Sequence, residues 1–161
     1  GKKSLVGAEK LTIGKNCRFD LDGQKKTLKI GKNCEFGDNT HIVALNSVKI
    51  GDNVLIASKT FISDCSHGYY GNEKENDSPD VPPNERELSF DEVVIGNNVW
   101  IGENAVILLG SHIGNGCIIG ANSVITRDLP DNCIVVGNNK IIKKYNSLTR
   151  RWEPFHEGFT D

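Results

Sequence analysis

Isoleucine recurs at every sixth position through Ile95, Ile101, Ile107, Ile113, Ile119 and Ile125, and this period constrains the fold more than any other feature of the chain. An amphipathic helix repeats its apolar positions every 3.6 residues and an ordinary strand every 2. A period of six fits short strands joined by tight corners. Glycine follows in Ile95-Gly96, Ile101-Gly102, Ile113-Gly114 and Ile119-Gly120, and the same register appears upstream as Ile13/Phe19, Ile30/Phe36/Ile42 and Ile50/Ile56/Ile62. Four residues after these positions stands a small or β-branched residue: Cys17, Cys34, Thr40, Val54, Thr60, Val99, Ala105, Ser111, Cys117 and Ser123. The Gly-Asn-Asn, Gly-Asp-Asn and Gly-Lys-Asn triplets after Ile95, Ile50, Ile13 and Ile30 supply residues that tolerate positive φ at corners. Three hexads close one triangular coil. Stacked coils set isoleucine above isoleucine, a column in which each buried aliphatic side chain contributes roughly 1.5–3 kcal/mol. The expectation is an all-β parallel solenoid.

The repeat breaks twice. Between Ile62 and Ile95 the register is lost through a polar stretch running from Ser63-Asp64-Cys65-Ser66-His67-Gly68-Tyr69-Tyr70 past Pro79, Pro82 and Pro83 to Asp91, too long for an idle connection. It is a candidate functional loop. After Pro130 the hexads end, and a cation-rich segment from Ile141 closes with Trp152 and Phe155, expected to cap the last coil or to pack on a neighbour. The expected division is a β-helix domain over 1–145 with a loop insertion at 63–93, then a C-terminal extension over 146–161.

Composition excludes several function classes. At 161 residues one domain is expected, and a net charge of -2 provides no positive field for a nucleic-acid backbone. No run approaches the roughly 18 apolar residues of a membrane span, and Gly1-Lys2-Lys3-Ser4 lacks the apolar stretch of a signal peptide, so the chain is expected to be cytoplasmic, without stable membrane insertion. It opens on Gly1 and holds no methionine, so native residues are expected before it. Cys17, Cys34, Cys65, Cys117 and Cys133 are odd in number and form no C-x-x-C pair, against a disulfide framework or a zinc knuckle.

The runs Asp52-Asn53-Val54-Leu55-Ile56-Ala57, Ile95-Gly96-Asn97-Asn98-Val99-Trp100-Ile101-Gly102 and Ile119-Gly120-Ala121-Asn122-Ser123-Val124-Ile125-Thr126-Arg127-Asp128-Leu129-Pro130, with His67 in the loop between, resemble the hexapeptide-repeat acetyltransferases. That superfamily includes galactoside, maltose and xenobiotic acetyltransferases. The loop segment Asp77-Ser78-Pro79-Asp80-Val81-Pro82-Pro83-Asn84-Glu85-Arg86 resembles more narrowly the bacterial O-acetyltransferases of lipopolysaccharide and capsule sugars. The resemblance covers about residues 11–145. It implies a left-handed parallel β-helix, although parallel crossovers are ordinarily right-handed. It also implies acetyl-CoA as co-substrate, no metal, a homotrimer with active sites between subunits, and transfer of acetyl to a sugar hydroxyl, of a bacterial surface polysaccharide or its precursor.

His67 matches the catalytic histidine that such enzymes carry in the loop leaving the coil, and an imidazole suits a general base at neutral pH. His41, His112 and His156 are read as structural. Asp64 and Glu73 flank His67 and are candidates to orient its imidazole, a task a main-chain carbonyl serves as well. Cys65 is read as a bystander, because transfer in the family is direct. The resemblance places an oxyanion donor at the backbone N–H near Gly102-Glu103. For acetyl-CoA the matching positions are Trp100, Gly102, Ala121, Thr126 and Arg127. Lys143, within a cluster with Lys140, Lys144, Arg150 and Arg151, is a candidate for the CoA phosphates. Relatives commonly read Gly-Asn-Pro-Ala-Lys before this segment, whereas here it is Gly137-Asn138-Asn139-Lys140. The coil before Ile50, Thr40-His41-Ile42-Val43-Ala44-Leu45-Asn46-Ser47, lacks the polar acceptor-binding residues of galactoside-type relatives. Acceptor contacts are therefore expected from the long loop at Asp64, Tyr69, Tyr70, Asn84 and Arg86.

Three other readings remain at this stage. One is N-acetylation of an amino sugar or nucleotide sugar. A γ-class carbonic anhydrase shares the solenoid but needs three zinc-binding histidines, and His67 has no histidine neighbour. The third is a non-catalytic scaffold.

Overall fold

The computed structural model of the chain describes residues 5–71 and 76–156. Glu73, one of the carboxylates flanking His67 in sequence, lies outside the described residues. Described secondary structure is strand apart from one short 3-10 turn at Pro83–Glu85. The strands are the left-handed parallel β-helix expected, wound as a three-faced prism. The first face stacks Leu5–Gly7, Leu28–Ile30, Val48–Ile50, Val93–Ile95 and His112–Ile113. The second stacks Thr12–Ile13, Glu35–Phe36, Leu55–Ile56, Trp100–Ile101, Ile118–Ile119 and Cys133–Val136. The third stacks Arg18–Leu21, His41–Ala44, Phe61–Ser63, Val106–Ile107 and Val124–Ile125. Repeat positions lie in exact register, for example Ile50 beside Ile95 and Ile101 beside Ile119.

The isoleucine column is the core. Ile42, Ile56, Ile62, Ile101, Ile107 and Ile125 are fully buried, and the small positions from Cys34 to Ser123 are buried with them. Ile13 belongs to the same register but is 47% exposed, because the first coil ends the stack and has a neighbour on one side only. The five cysteines are free, and Cys117 and Cys133 touch in the core with sulfurs 3.4 Å apart.

The corners divide the labour of the Gly-x-Asn triplets. Positive φ falls on the third residue, as at Asn33, Asn53 and Asn98, with φ between 55° and 57°. The glycine serves another end. A Cβ on Gly96 would stand 2.8 Å from the Asn115 nitrogen, and one on Gly102 would stand 2.5 Å from the Ala121 nitrogen, so the next coil approaches too closely for any side chain.

At the C-terminus the chain reverses. Lys140–Asn146 runs antiparallel to Cys133–Val136, and Arg151–Pro154 antiparallel to Lys140–Asn146, widening the second face. Phe155 packs against the core, as expected of a cap, whereas Trp152 packs edge-on to Tyr145 within the hairpin.

Candidate active site

The three edges of the prism differ. The edge joining the first and second faces is closed by side chains of the neighbouring coil: Lys32 N–H donates to Asp52 Oδ1, Asp52 N–H to Asn97 Oδ1, Asn97 N–H to Asn115 Oδ1 and Asn115 N–H to Asp131 Oδ1, at 2.7–2.8 Å. The edge joining the second and third faces starts the same ladder, with Lys15 N–H on Asp38 Oδ1 at 2.6 Å. It stops there. The equivalent positions in later coils are Ser58, Glu103 and Ala121, and among the described residues no side chain caps their N–H groups. The methyl of Ala121 has nothing with which to accept the Glu103 N–H. The third edge carries the insertions, including the long one.

That long loop leaves the third face after Ser63. Cys65–His67 pairs antiparallel with Leu88–Phe90, setting His67 beside Leu88. His67 Nδ1 lies 3.1 Å from the Pro83 carbonyl oxygen. A carbonyl only accepts, so Nδ1 carries the hydrogen and Nε2 is left with its lone pair. Pro83 is presented by the 3-10 turn Pro83–Glu85. The loop is braced from within: Arg86 Nη1 donates to Tyr70 Oη at 2.6 Å, Tyr70 donates to the His67 carbonyl at 2.9 Å, and Arg86 Nε donates to the Val81 carbonyl at 2.9 Å.

His67 opens on a groove of about 490 Å³ along the third face. Its floor is the column Asp20, Val43, Ser63 and Leu108, one from each successive coil. Leu45 and Phe61 flank the floor, while Cys65, Ser66 and Leu88 overhang it from the hairpin. Asp20 is held at both oxygens, by Arg18 Nε at 2.9 Å and by His41 Nε2 at 2.9 Å, and His41 packs on the Phe61 ring at 5.2 Å. The Arg18 guanidinium, and then His41, hold the Asp20 carboxyl below its ordinary range.

The expected acceptor residues are not those that meet in this groove. Asp64 is fully buried, and its carboxylate accepts the N–H groups of Leu45 at 3.0 Å and of Asn46 and Ser47 at 2.7 Å. It therefore neither orients His67, a task that falls to the Pro83 carbonyl, nor reaches a substrate. Tyr70 and Arg86 are turned onto the loop itself. Tyr69 lines a separate cavity of about 440 Å³ with Asn76, Asp77 and Glu87, and Asn84 is exposed on the 3-10 turn. Asp20, Val43, Leu45, Phe61 and Leu108 line the groove without having been singled out from the sequence. The signal available was period: Asp20, Val43, Ser63 and Leu108 each follow a core position by one residue and so face outward.

Of the positions expected to meet acetyl-CoA, Gly102 and Ala121 lie on the uncapped edge and Trp100 on the second face beside it, whereas Thr126 and Arg127 follow Ile125 at the far side of the third face. Trp100 stands on the second face between Leu55 and Ile118, half-exposed. Gly102 and Ala121 stack at the edge, and the Gly102 N–H donates to the Ile119 carbonyl at 2.8 Å. That bond removes Gly102 as an oxyanion donor and leaves Glu103 to that expectation. Asn139 accepts the Thr126 N–H at Oδ1, donates to the Thr126 hydroxyl at 2.7 Å and accepts Arg127 Nη2 at its carbonyl. Asn139 stands at φ 56°, which proline cannot adopt, so this corner could not carry the proline its relatives commonly have. Lys144 Nζ is drawn over the Phe155 ring at 4.0 Å, whereas Lys143 is exposed. His112 is tied to Asp128 at 2.9 Å, and among the described residues no group of three His, Cys, Asp or Glu could hold a metal ion. Nor is any helix there long and apolar enough to cross a membrane.

Residues 92–127 match the family model of the bacterial transferase hexapeptide (six repeats), and residues 27–62 match that of the hexapeptide repeat of succinyl-transferase. The chain is 43% identical over 151 residues to the putative lipopolysaccharide biosynthesis O-acetyl transferase WbbJ of Escherichia coli, covering 93% of this chain and 76% of that protein. It is 35% identical to the galactoside O-acetyltransferase of Escherichia coli over 71% of this chain, but spans only 52% of that enzyme. Among solved structures, the hexapeptide-repeat acetyltransferase VCA0836 of Vibrio cholerae, complexed with acetyl coenzyme A, superposes with a TM-score of 0.74 at 27% identity, covering 90% of this chain and 73% of that one. A galactoside acetyltransferase in complex with coenzyme A superposes with a TM-score of 0.60 at 29% identity, covering 93% and 70%. The repeat, the prism and these similarities together show that the chain belongs to the hexapeptide-repeat acetyltransferases.

Proposed function

We propose that this protein is an acetyl-CoA-dependent O-acetyltransferase that acts on a sugar hydroxyl of a bacterial surface polysaccharide or its precursor, with His67 as general base. The observation that carries this reading is the bond from His67 Nδ1 to the Pro83 carbonyl, which puts the hydrogen on Nδ1 and leaves the Nε2 lone pair free beside a groove. In the reaction, Nε2 takes the proton of the acceptor hydroxyl as its oxygen attacks the thioester carbonyl. The tetrahedral oxyanion is met by a main-chain donor, for which Glu103 N–H on the uncapped edge is the candidate. Collapse expels the CoA thiolate, and the proton on Nε2 passes to its sulfur.

The same edge fits the extended amide arm of acetyl-CoA, since unpaired N–H groups at Ser58, Glu103 and Ala121 match its carbonyls and the Trp100 ring offers an apolar wall. Thr126, Arg127 and Lys143 are the candidates for its nucleotide end. Leu55 and Trp100, 43% and 50% exposed on one face, support a homotrimer in which a second subunit covers that arm. The WbbJ and galactoside relatives favour hydroxyl over amine acceptors.

The test is thiol release from acetyl-CoA over a panel of hydroxy and amino sugars and lipid-linked glycans, with mass spectrometry of the product. His67→Ala is expected to bind acetyl-CoA yet transfer at least ~10²-fold more slowly. Undiminished transfer by that variant would refute the assigned base.

A further inference from the structure

The groove follows the third face across successive coils. Its floor residues Asp20, Val43 and Ser63 are direct register partners, so Asp20 lies two coils from Ser63, about 10 Å at the usual strand spacing. That is too far for one pyranose ring to bridge. Asp20 is the one carboxylate among the lining residues, and it is built in: Arg18 and His41 fix its two oxygens, while a third of its side chain stays exposed toward the groove. A carboxylate has about four lone-pair sites, so the two bonds leave capacity for sugar hydroxyls. The Phe61 ring beside it offers a face to the C–H side of a sugar. No lysine or arginine appears among the described lining residues, and the neighbouring Arg18 guanidinium is already engaged by Asp20 at 2.9 Å, so a phosphate placed there would have to compete with that carboxylate for it.

We propose that Asp20 is an acceptor-specificity residue that reads the sugar unit adjacent to the one acetylated, and that the groove accepts an uncharged glycan of at least two units and disfavours a nucleotide-linked monosaccharide. This rests on the acetyltransfer reading above and deepens it.

The experiment compares kcat/KM, at saturating acetyl-CoA, for nitrophenyl monosaccharides, the matching disaccharide glycosides and uridine-diphosphate hexoses. Wild type is expected to favour the disaccharide over both by about tenfold or more. Asp20→Asn is expected to lose about tenfold on the disaccharide, mainly in KM, and by a smaller factor on the monosaccharide. Val43→Phe, which fills the floor between Asp20 and Ser63, is expected to remove the preference by a different route. Equal losses on both acceptors in both variants, or a wild-type preference for the nucleotide sugar, would overturn the proposal while leaving acetyltransfer standing. Absence of thiol release with every acceptor would instead refute the acetyltransfer reading itself.

Discussion

Two edges of one prism, built from the same hexad, have opposite surfaces. Where the first face meets the second, Asp52, Asn97, Asn115 and Asp131 each cap a main-chain N–H of the coil beside it, so the edge satisfies itself. Where the second meets the third, the ladder ends after Asp38, and Ser58, Glu103 and Ala121 leave a row of donors open. The sealed edge lies opposite the third face. The open edge and the edge with the long loop both border that face, which carries the His67 groove. A solenoid repeat thus separates stability from chemistry by the choice of one residue per coil.

The comparison can be broken at several points. The largest effect is expected at Asp64→Ala, which removes the buried carboxylate that accepts three N–H groups of the 45–47 turn. It should cost about 3 kcal/mol or more in denaturant unfolding, with the groove lost as well. Next is His67→Ala, at least ~10²-fold in transfer with the melting temperature unchanged. Ala121→Asn tests the open edge directly: the new carboxamide should cap Glu103 N–H, adding about 1 kcal/mol of stability while raising the KM for acetyl-CoA about tenfold and, with the oxyanion donor occupied, lowering kcat on the order of 10²-fold. A stabilised variant with unaltered KM would show that this edge does not hold the co-substrate. The converse change, Asn97→Ala on the sealed edge, should cost about 1 kcal/mol and leave the KM for acetyl-CoA alone.

The smallest effect concerns acid stability. Lys49 Nζ, 2.6 Å from Glu92 Oε2, holds the Glu92 carboxyl below its ordinary value of 4.5. A carboxyl depressed in the folded state adds stability above its unfolded value, and that stability is lost as pH falls through the folded one. Glu92→Gln should therefore lower stability at neutral pH by a few tenths of a kcal/mol, since the pair is largely solvated, and the difference from wild type should shrink as pH falls below the ordinary carboxyl value and vanish once the folded carboxyl is protonated. A difference that persists in acid would assign the effect to packing.

His67 was legible as the candidate base from its place in the one long break, but the partner of its Nδ1 was not. Sequence proximity pointed to Asp64 and Glu73, whereas the bond comes from Pro83, sixteen residues on, because the hairpin at 65–67 and 88–90 folds that turn back over the ring. The residues lining the groove differ from the loop residues expected to meet an acceptor for a related reason. Tyr70 and Arg86 are polar and lie in the loop, yet a long insertion must satisfy its own groups, and these two do so. The apolar coil that looked unsuited to an acceptor supplies Val43 and Leu45 to the groove.

The hexad by itself determined the parallel solenoid, while its left-handed winding came from the family resemblance. Side-chain direction along a period of six is local, and stacking identical coils is the one way to bury such a column. It also marked where the corners turn, whereas the close approach that keeps Gly96 and Gly102 bare came from the stacking of the next coil. The tertiary structure alone decided which outward residues of successive coils come together. Asp20, Val43, Ser63 and Leu108 are about twenty or more residues apart and become neighbours through register, which depends on the length of each insertion between coils as much as on the repeat.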